Sequence, residues 1–162
     1  MLKETTIAYL AGIIDGEGYI GIKKTAHKNR VTPGFHARIQ VRMIHDGAIR
    51  MLQDTFGGSI YKEKPHVDGG RPLACWQLSD AKAEYALRIL LPYMVVKREN
   101  AENVLALRDL QTTSKQHRTK PNGFRRMRHW AGIEVKIQNK ILSDEYVGWC
   151  DDLYEKGKRL NH

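Results

Sequence analysis

The stretch Tyr9–Ile20, reading YLAGIIDGEGYI, constrains this chain more than any other segment. Ile7, Leu10 and Ile14 recur at helical spacing, and Tyr9 and Ile13 widen the stripe, so the segment begins as a helix with a broad apolar face. Ala8 and Gly12 stand one turn apart on another face, where missing side chains let a second backbone approach closely. Gly16 and Gly18 are expected to stop the helix, because glycine accepts the left-handed and tight backbone angles such an exit uses. Glu17, held between them, is presented at the helix end with little side-chain bulk around it. Ile20 and Ile22 then alternate with Tyr19, Gly21 and Lys23, so a strand starts at once.

The rest of the chain extends this unit. The first strand runs over about Tyr19–Thr25, and a polar turn region ends in Pro33-Gly34. Residues 36–43 then alternate without a fault: Ala37, Ile39, Val41 and Met43 on one face, His36, Arg38, Gln40 and Arg42 on the other. That is a half-buried antiparallel strand whose exposed face carries hydrogen-bond donors and no acid. Asp46 is placed to cap a helix through Phe56, closed by Gly57-Gly58. Strands near Ile60–Lys64 and Pro72–Leu78 flank the turn Asp68-Gly69-Gly70, and Asp80 is placed to cap a helix ended by Pro92. In the last of these strands Ala74, Trp76 and Leu78 share one face and Leu73, Cys75 and Gln77 the other. Lys97 opens a further helix to about Gln111, with Ala101, Val104, Leu105 and Leu107 as its apolar positions. A basic loop over 112–129 and two amphipathic helices, near Met127–Leu142 and Asp144–Lys156, are expected to complete the chain. The sum is an α+β domain with helices on one face of an antiparallel sheet and charge on the other.

Composition narrows the partners. A chain of 162 residues suits one domain, here 1–162, with a core over about 1–111. The formal charge of +9 suits a polyanion, and its distribution is more telling than its size. Residues 18–45 carry Lys23, Lys24, Lys28, Arg30, Arg38 and Arg42 and no acid; residues 110–133 carry Lys115, Arg118, Lys120, Arg125, Arg126 and Arg128, again with none. Segregation of this kind favours a binding surface for nucleic acid over general solubility. Two distant cysteines and scattered histidines argue against a disulfide framework or a His/Cys metal site. No apolar run approaches a membrane span, so an intracellular protein, in the cytoplasm or an organelle of its host, and no membrane partner are expected.

Leu10-Ala11-Gly12-Ile13-Ile14-Asp15-Gly16-Glu17-Gly18 resembles the dodecapeptide of the LAGLIDADG homing endonucleases, with Glu17 where Asp is commoner. The α-β-β-α-β-β-α order read above is that of LAGLIDADG domains, and the basic loop and C-terminal helices are similar to those of single-motif members. The resemblance implies a saddle-shaped antiparallel sheet over duplex DNA and a catalytic pair, Glu17 with Lys97. It makes Asp15 a helix-end and packing residue. Members often carry a Gln at the end of the second strand to order the attacking water; here Met43 falls near that point, with Gln40 and His45 nearby, and the role is unassigned.

The chemistry can be argued from charge. Phosphodiester hydrolysis calls for an activated water, a stabilised phosphoryl group and a held leaving oxygen, which two divalent ions supply together, and Mg²⁺ prefers carboxylate and carbonyl oxygens. Glu17 and the carbonyl of Gly16 are the expected metal ligands, for Mg²⁺ with Mn²⁺ or Ca²⁺ as substitutes. One acid is too few for a two-metal centre, so two copies paired across Ala8 and Gly12 in a homodimer are expected to bring two Glu17 residues together. Each half would read a half-site of a long pseudo-palindromic target through Lys23, His36, Arg38, Gln40 and Arg42, with Lys62, Lys64, Arg71 and Gln77 from the second hairpin. Arg38 or Arg42 suits guanine and Gln40 adenine. Arg118, Lys120 and Arg125 in the basic loop would meet phosphates. Two other functions stay open on sequence: an intron maturase binding RNA, and a non-catalytic DNA-binding protein of the same fold. Asp109 with Glu134-Val135-Lys136 also loosely fits the spacing of restriction-type nucleases, a pattern that needs strands where this segment reads as helix.

Overall fold

In a computed structural model, which describes residues 3–26, 32–65, 68–113, 124–130, 133–138 and 144–161, the first motif is a helix feeding directly into a strand. Helix α1 (Glu4–Glu17) passes into β1 (Gly18–Thr25), followed by β2 (Gly34–Met43), α2 (Asp46–Phe56), β3 (Ser59–Glu63), β4 (Leu73–Ser79) and α3 (Asp80–Leu90). A 3₁₀ turn at Leu91–Tyr93 leads to α4 (Arg98–Thr113), then β5 (Phe124–Trp130), β6 (Ile133–Gln138) and α5 (Asp144–Leu160).

The four strands form one antiparallel sheet in the order β1-β2-β4-β3, so the two hairpins meet along β2 and β4. Period-two alternation sends Ile20, Ile22, Ala37, Ile39, Val41, Ala74, Trp76 and Leu78 to one face, all buried. The helices supply the facing layer through Leu10 and Ile14 of α1, Ile49 and Leu52 of α2, Ala83 and Leu87 of α3, and Val104 and Leu107 of α4. Trp76 is fully buried, and its indole N–H donates to the carbonyl of Gly57 at 2.8 Å, so its one polar atom is satisfied. Helix α5 packs on α4 and β1. Asn103 of α4 donates to the Leu153 carbonyl at 2.8 Å, and Asn161 donates to Ile20 of β1 at 3.1 Å.

Three expectations change. The exit from α1 does not use a left-handed glycine: Gly16 is helical, and Gly18 is extended at φ −85°. Gly18 is needed for space instead, since a Cβ there would lie 2.5 Å from the Ile14 carbonyl oxygen. Asp46 and Asp80 are the first residues of their helices, not caps with side-chain bonds of their own. Asp46 pairs with Arg50 one turn on, and Asp80 reaches β2. The helix expected near Met127–Leu142 is instead the β5–β6 hairpin, with Met127 opposite Val135 and Trp130 opposite Ile133. Gly132 interrupts that segment, and Ile133, Val135 and Ile137 alternate with Glu134, Lys136 and Gln138, a strand period that outweighs the helical one. The helix expected near Asp144–Lys156 is α5.

Candidate nucleic-acid interface and acidic centre

Glu17 is the last residue of α1 and is exposed. It lines a cavity of about 500 Å³ together with Tyr19, Lys23, Arg38, Gln40 and Arg42 from the polar face of β1 and β2. The motif acid and the donor-bearing strand, read separately from sequence, therefore share one space. Tyr154 and Lys158 of α5 close the same cavity, and sequence reasoning missed both. Their signal was weak: an aromatic and a lysine one turn apart near the end of an amphipathic helix.

Asp15 ties this end of α1 to α4. Its carboxylate accepts the backbone N–H groups of Val95, Val96 and Lys97 at 2.7, 3.2 and 3.0 Å, which are orphan donors ahead of a helix start. Lys97 is half-buried, and its ammonium donates to the Asp15 carbonyl. The cation is thus fixed two residues from Glu17. Among the described residues no three His, Cys, Asp or Glu side chains converge, so a single chain offers one carboxylate at this place, with the Gly16 carbonyl beside it in sequence. On the other side of α1, Ala8, Gly12 and Gly16 are exposed, and a Cβ built on Gly12 meets nothing within 4 Å.

The polar face of the sheet is more tightly organised than alternation alone implies. Each donor of β2 has a partner on a neighbouring element. His36 Nδ1 lies 3.0 Å from Asp80, whose other oxygen accepts the Ala37 N–H at 3.2 Å. Arg38 donates to Gln77 on β4. Gln40 is only 6% exposed, and in the amide orientation that suits its neighbours its oxygen accepts from Tyr61 Oη at 2.5 Å and from Arg42 Nη2 and Nε at 3.2 and 3.1 Å. Arg42 in turn lies 3.4 Å from Glu63 on β3. Gln40 therefore sits beneath Arg42 and Tyr61 with its carbonyl engaged, a poorer position for a bidentate contact to adenine than its place in the sequence implied. Cys75 is fully buried between Arg42 and Tyr61 in the register. Burial first, and then the Glu63 carboxylate, push its thiol up, which keeps it neutral in this setting. Tyr19 lies over Gly21, where a Cβ would be 2.3 Å from its hydroxyl, and burial raises its phenol against the opposing effect of Arg38.

A second cavity of about 260 Å³ joins Lys23, His36, Arg38 and Gln77. Of the sequence candidates, then, Lys23, His36, Arg38, Gln40, Arg42 and Gln77 come together. Lys62 does not join them: it pairs with Ala74 and takes the helix-side register of β3, with Ile60. Lys64 and Arg71 are exposed beyond the ends of β3 and β4. Arg125 is on β5 opposite Ile137, while Arg118 and Lys120 lie outside the described residues. Tyr61, Glu63 and Asp80 were missed as members of this face, and Glu63 and Asp80 place acids against a strand face that has none of its own. Glu134 to Lys136 are on a strand, β6, whereas Asp109 is on helix α4 and ion-paired with Arg88, not on the strand that a restriction-type pattern needs.

No protein-family model matches the sequence, and no curated protein matches it. Solved structures do match. The homing endonuclease I-CvuI, crystallised with the I-CreI target in the presence of Mg with the DNA not cleaved, aligns over 97% of this chain and 82% of its own, with a TM-score of 0.70 and 16% identity. The fold is that of the LAGLIDADG homing endonucleases. The archaeal intron-encoded I-Vdi141I, complexed with DNA, aligns over 97% of this chain and 84% of its own, with a TM-score of 0.69 and 10% identity. I-TnaI, also a homing endonuclease, covers 98% of this chain and 95% of its own, with a TM-score of 0.58 and 12% identity. In this chain the motif helix α1 packs against β1 and β2 and against α2 and α3. Among the described residues no helix is long and apolar enough to cross a membrane.

Proposed function

We propose that the protein is a site-specific double-strand DNA endonuclease that works as a homodimer, each chain giving one Glu17 to a shared metal-dependent centre. The observation that carries this reading is the position of Glu17: an exposed acid where an uncovered small-residue helix face meets a cationic, donor-lined sheet. The solved DNA complexes of proteins sharing the fold, some obtained with Mg or Ca, support duplex DNA and a divalent ion as partners.

Glu17 and the Gly16 carbonyl are hard oxygen donors of the kind Mg²⁺ takes, and as a single carboxylate they make half of a site that a second copy would complete. A bound divalent ion, Mg²⁺ with Mn²⁺ or Ca²⁺ as substitutes, would supply charge neutralisation for the phosphoryl group and a lowered pKa for water. The chain's own residues do the rest. Lys97, anchored to the Asp15 carbonyl, adds a fixed cation at the same end of α1 as the acid. Lys23, His36, Arg38, Arg42 and Gln77 face the groove of the duplex, Gln40 supports them from below, and Arg118, Lys120 and Arg125 are assigned to phosphates. Lys64 and Arg71 extend the contact at the sheet end, while Lys62, on the helix side, has no part in it.

Cleavage and binding of a randomised duplex library by the purified protein test this reading. Wild-type protein cuts a pseudo-palindromic set in Mg²⁺; Glu17→Gln binds the same set with similar affinity and does not cut. Cutting by Glu17→Gln near the wild-type rate would remove Glu17 from the centre. Binding by wild type without any cutting would leave a DNA-binding protein of this fold, and preference for structured RNA a maturase.

A further inference from the structure

Glu63, like Asp80, is an acid set against a strand face whose own polar side chains suit an anion. A carboxylate that faced phosphates would weaken binding, so its place on the groove side needs a different account. It is held beside Arg42: Arg42 Nη2 and Glu63 Oε1 are 3.4 Å apart, on strands that flank β4, where Arg42 is opposite the buried Cys75 and Glu63 is opposite Leu73. The Nε side of the guanidinium is turned to the Gln40 oxygen, at 3.1 Å from Nε and 3.2 Å from Nη2, which fixes its plane. Five N–H groups leave donors free after these contacts, and the Arg42 side chain is half exposed. The free face of the cluster is therefore a donor pair with an acceptor next to it.

The major-groove edge of a G·C pair is the complement of that order. It presents the N7 and O6 acceptors of guanine and then the N4 amino donor of cytosine, with O6 and N4 about 3 Å apart because they are hydrogen-bonded to each other. We infer that Arg42 and Glu63 act as one unit that reads a single oriented G·C pair in each half-site, Arg42 on guanine and Glu63 on the cytosine amino group. This rests on the DNA-binding reading above and adds the base pair. At an A·T pair in the same place the adenine amino group meets an arginine donor, and thymine O4 meets the carboxylate, so both contacts turn repulsive. Reversing the pair puts the cytosine amino group against Arg42 and a guanine acceptor against Glu63. Glu63 thus supplies rejection, while Arg42 supplies most of the attraction.

The test is a binding selection on a randomised duplex library with the full chain, as wild type, Arg42→Ala, Glu63→Ala and Glu63→Gln, each checked for unchanged melting. Wild type is expected to enrich one G·C pair at a mirror-related position in each half-site, with about 10- to 100-fold discrimination there. Both alanine variants lose that preference at the same position and leave the others in place. Glu63→Gln, which keeps the shape but adds a donor, lowers the discrimination against thymine at the cytosine place, while Arg42 still disfavours the adenine that pairs with it. The assignment is overturned if Glu63→Ala relaxes no position, relaxes a different one from Arg42→Ala, or changes affinity equally at all positions. It falls together with the DNA-binding reading if wild type enriches no duplex at all, an outcome the first selection round separates from the others.

Discussion

At the scale of single residues, the motif's glycines divide by what surrounds them. Gly18 is a contact glycine: a Cβ there would meet the Ile14 carbonyl oxygen at 2.5 Å and the Ile14 Cα at 2.9 Å, and backbone cannot move aside as a side-chain tip can. Gly18→Ala is therefore expected to cost about 1–3 kcal/mol, the usual range for overpacking. Because Gly18 adjoins Glu17, the shift should also displace the acid. Urea denaturation of wild type and variant measures the first effect, and the cleavage rate at saturating DNA the second. An unchanged midpoint would mean that β1 leaves α1 by a different path. Asp15 gains its importance in the same local way. Its chemistry is not that of a second metal acid, because its two oxygens are already spent on three backbone N–H groups.

At the scale of elements, Glu84 links α3 to α4. It accepts from Arg88 on its own helix at 3.1 Å and from Arg108 on α4 at 3.1 Å. Burial pushes its carboxyl up, but the bonds to Arg88 and Arg108 outweigh this and hold it below the usual carboxylate range. A carboxylate lowered on folding contributes stability above its unfolded pKa, about 4.3, and loses it as pH falls through the folded value. Glu84→Gln should cost about 1–2 kcal/mol at pH 7 and have a flatter stability profile below about pH 4.3. Melting of both proteins between pH 3 and 7 reads this; parallel profiles would place the acid sensitivity elsewhere.

The elements also show what the sequence could convey. Helices α1 to α4 and strands β1 to β4 were legible because their apolar periods are clean and Gly or Pro separates them, as Ala37, Ile39 and Val41 illustrate. The β5–β6 hairpin was misread because its basic, mixed residues satisfy a helical spacing as well as a strand one. The site was half legible. Glu17 and the donors of β2 stand out in the chain itself, whereas Tyr61, Glu63 and Asp80 become partners only through the β2–β4 junction. That pairing joins residues tens of positions apart, and nothing local encodes it. The side of the sheet taken by Lys62 was lost for the same reason, since one residue of register moves a side chain to the other face.

At the scale of the molecule, one face of α1 is unfinished. Tyr9 is 52% exposed, Ala8, Gly12 and Gly16 are open, and Val95 and Val96, beside the end of the helix, are 82% and 74% exposed. A second copy would cover these small and apolar groups and bring the paired acid that Glu17 lacks. Gly12→Leu separates this from a purely internal role. In the single chain a Cβ at Gly12 meets nothing within 4 Å, and leucine favours a helix over glycine by close to 1 kcal/mol, so the variant monomer should be at least as stable as wild type. At a close backbone crossing the same side chain blocks approach, and overpacking of about 1–3 kcal/mol or more should shift the protein from dimer to monomer. Sedimentation with and without target DNA, paired with thermal melting, distinguishes the two. The expected result is a well-folded monomer that no longer cuts both strands. A wild-type protein that sediments as a monomer on and off DNA, or a Gly12→Leu protein that remains a dimer, would remove the helix face as the interface and with it the shared centre.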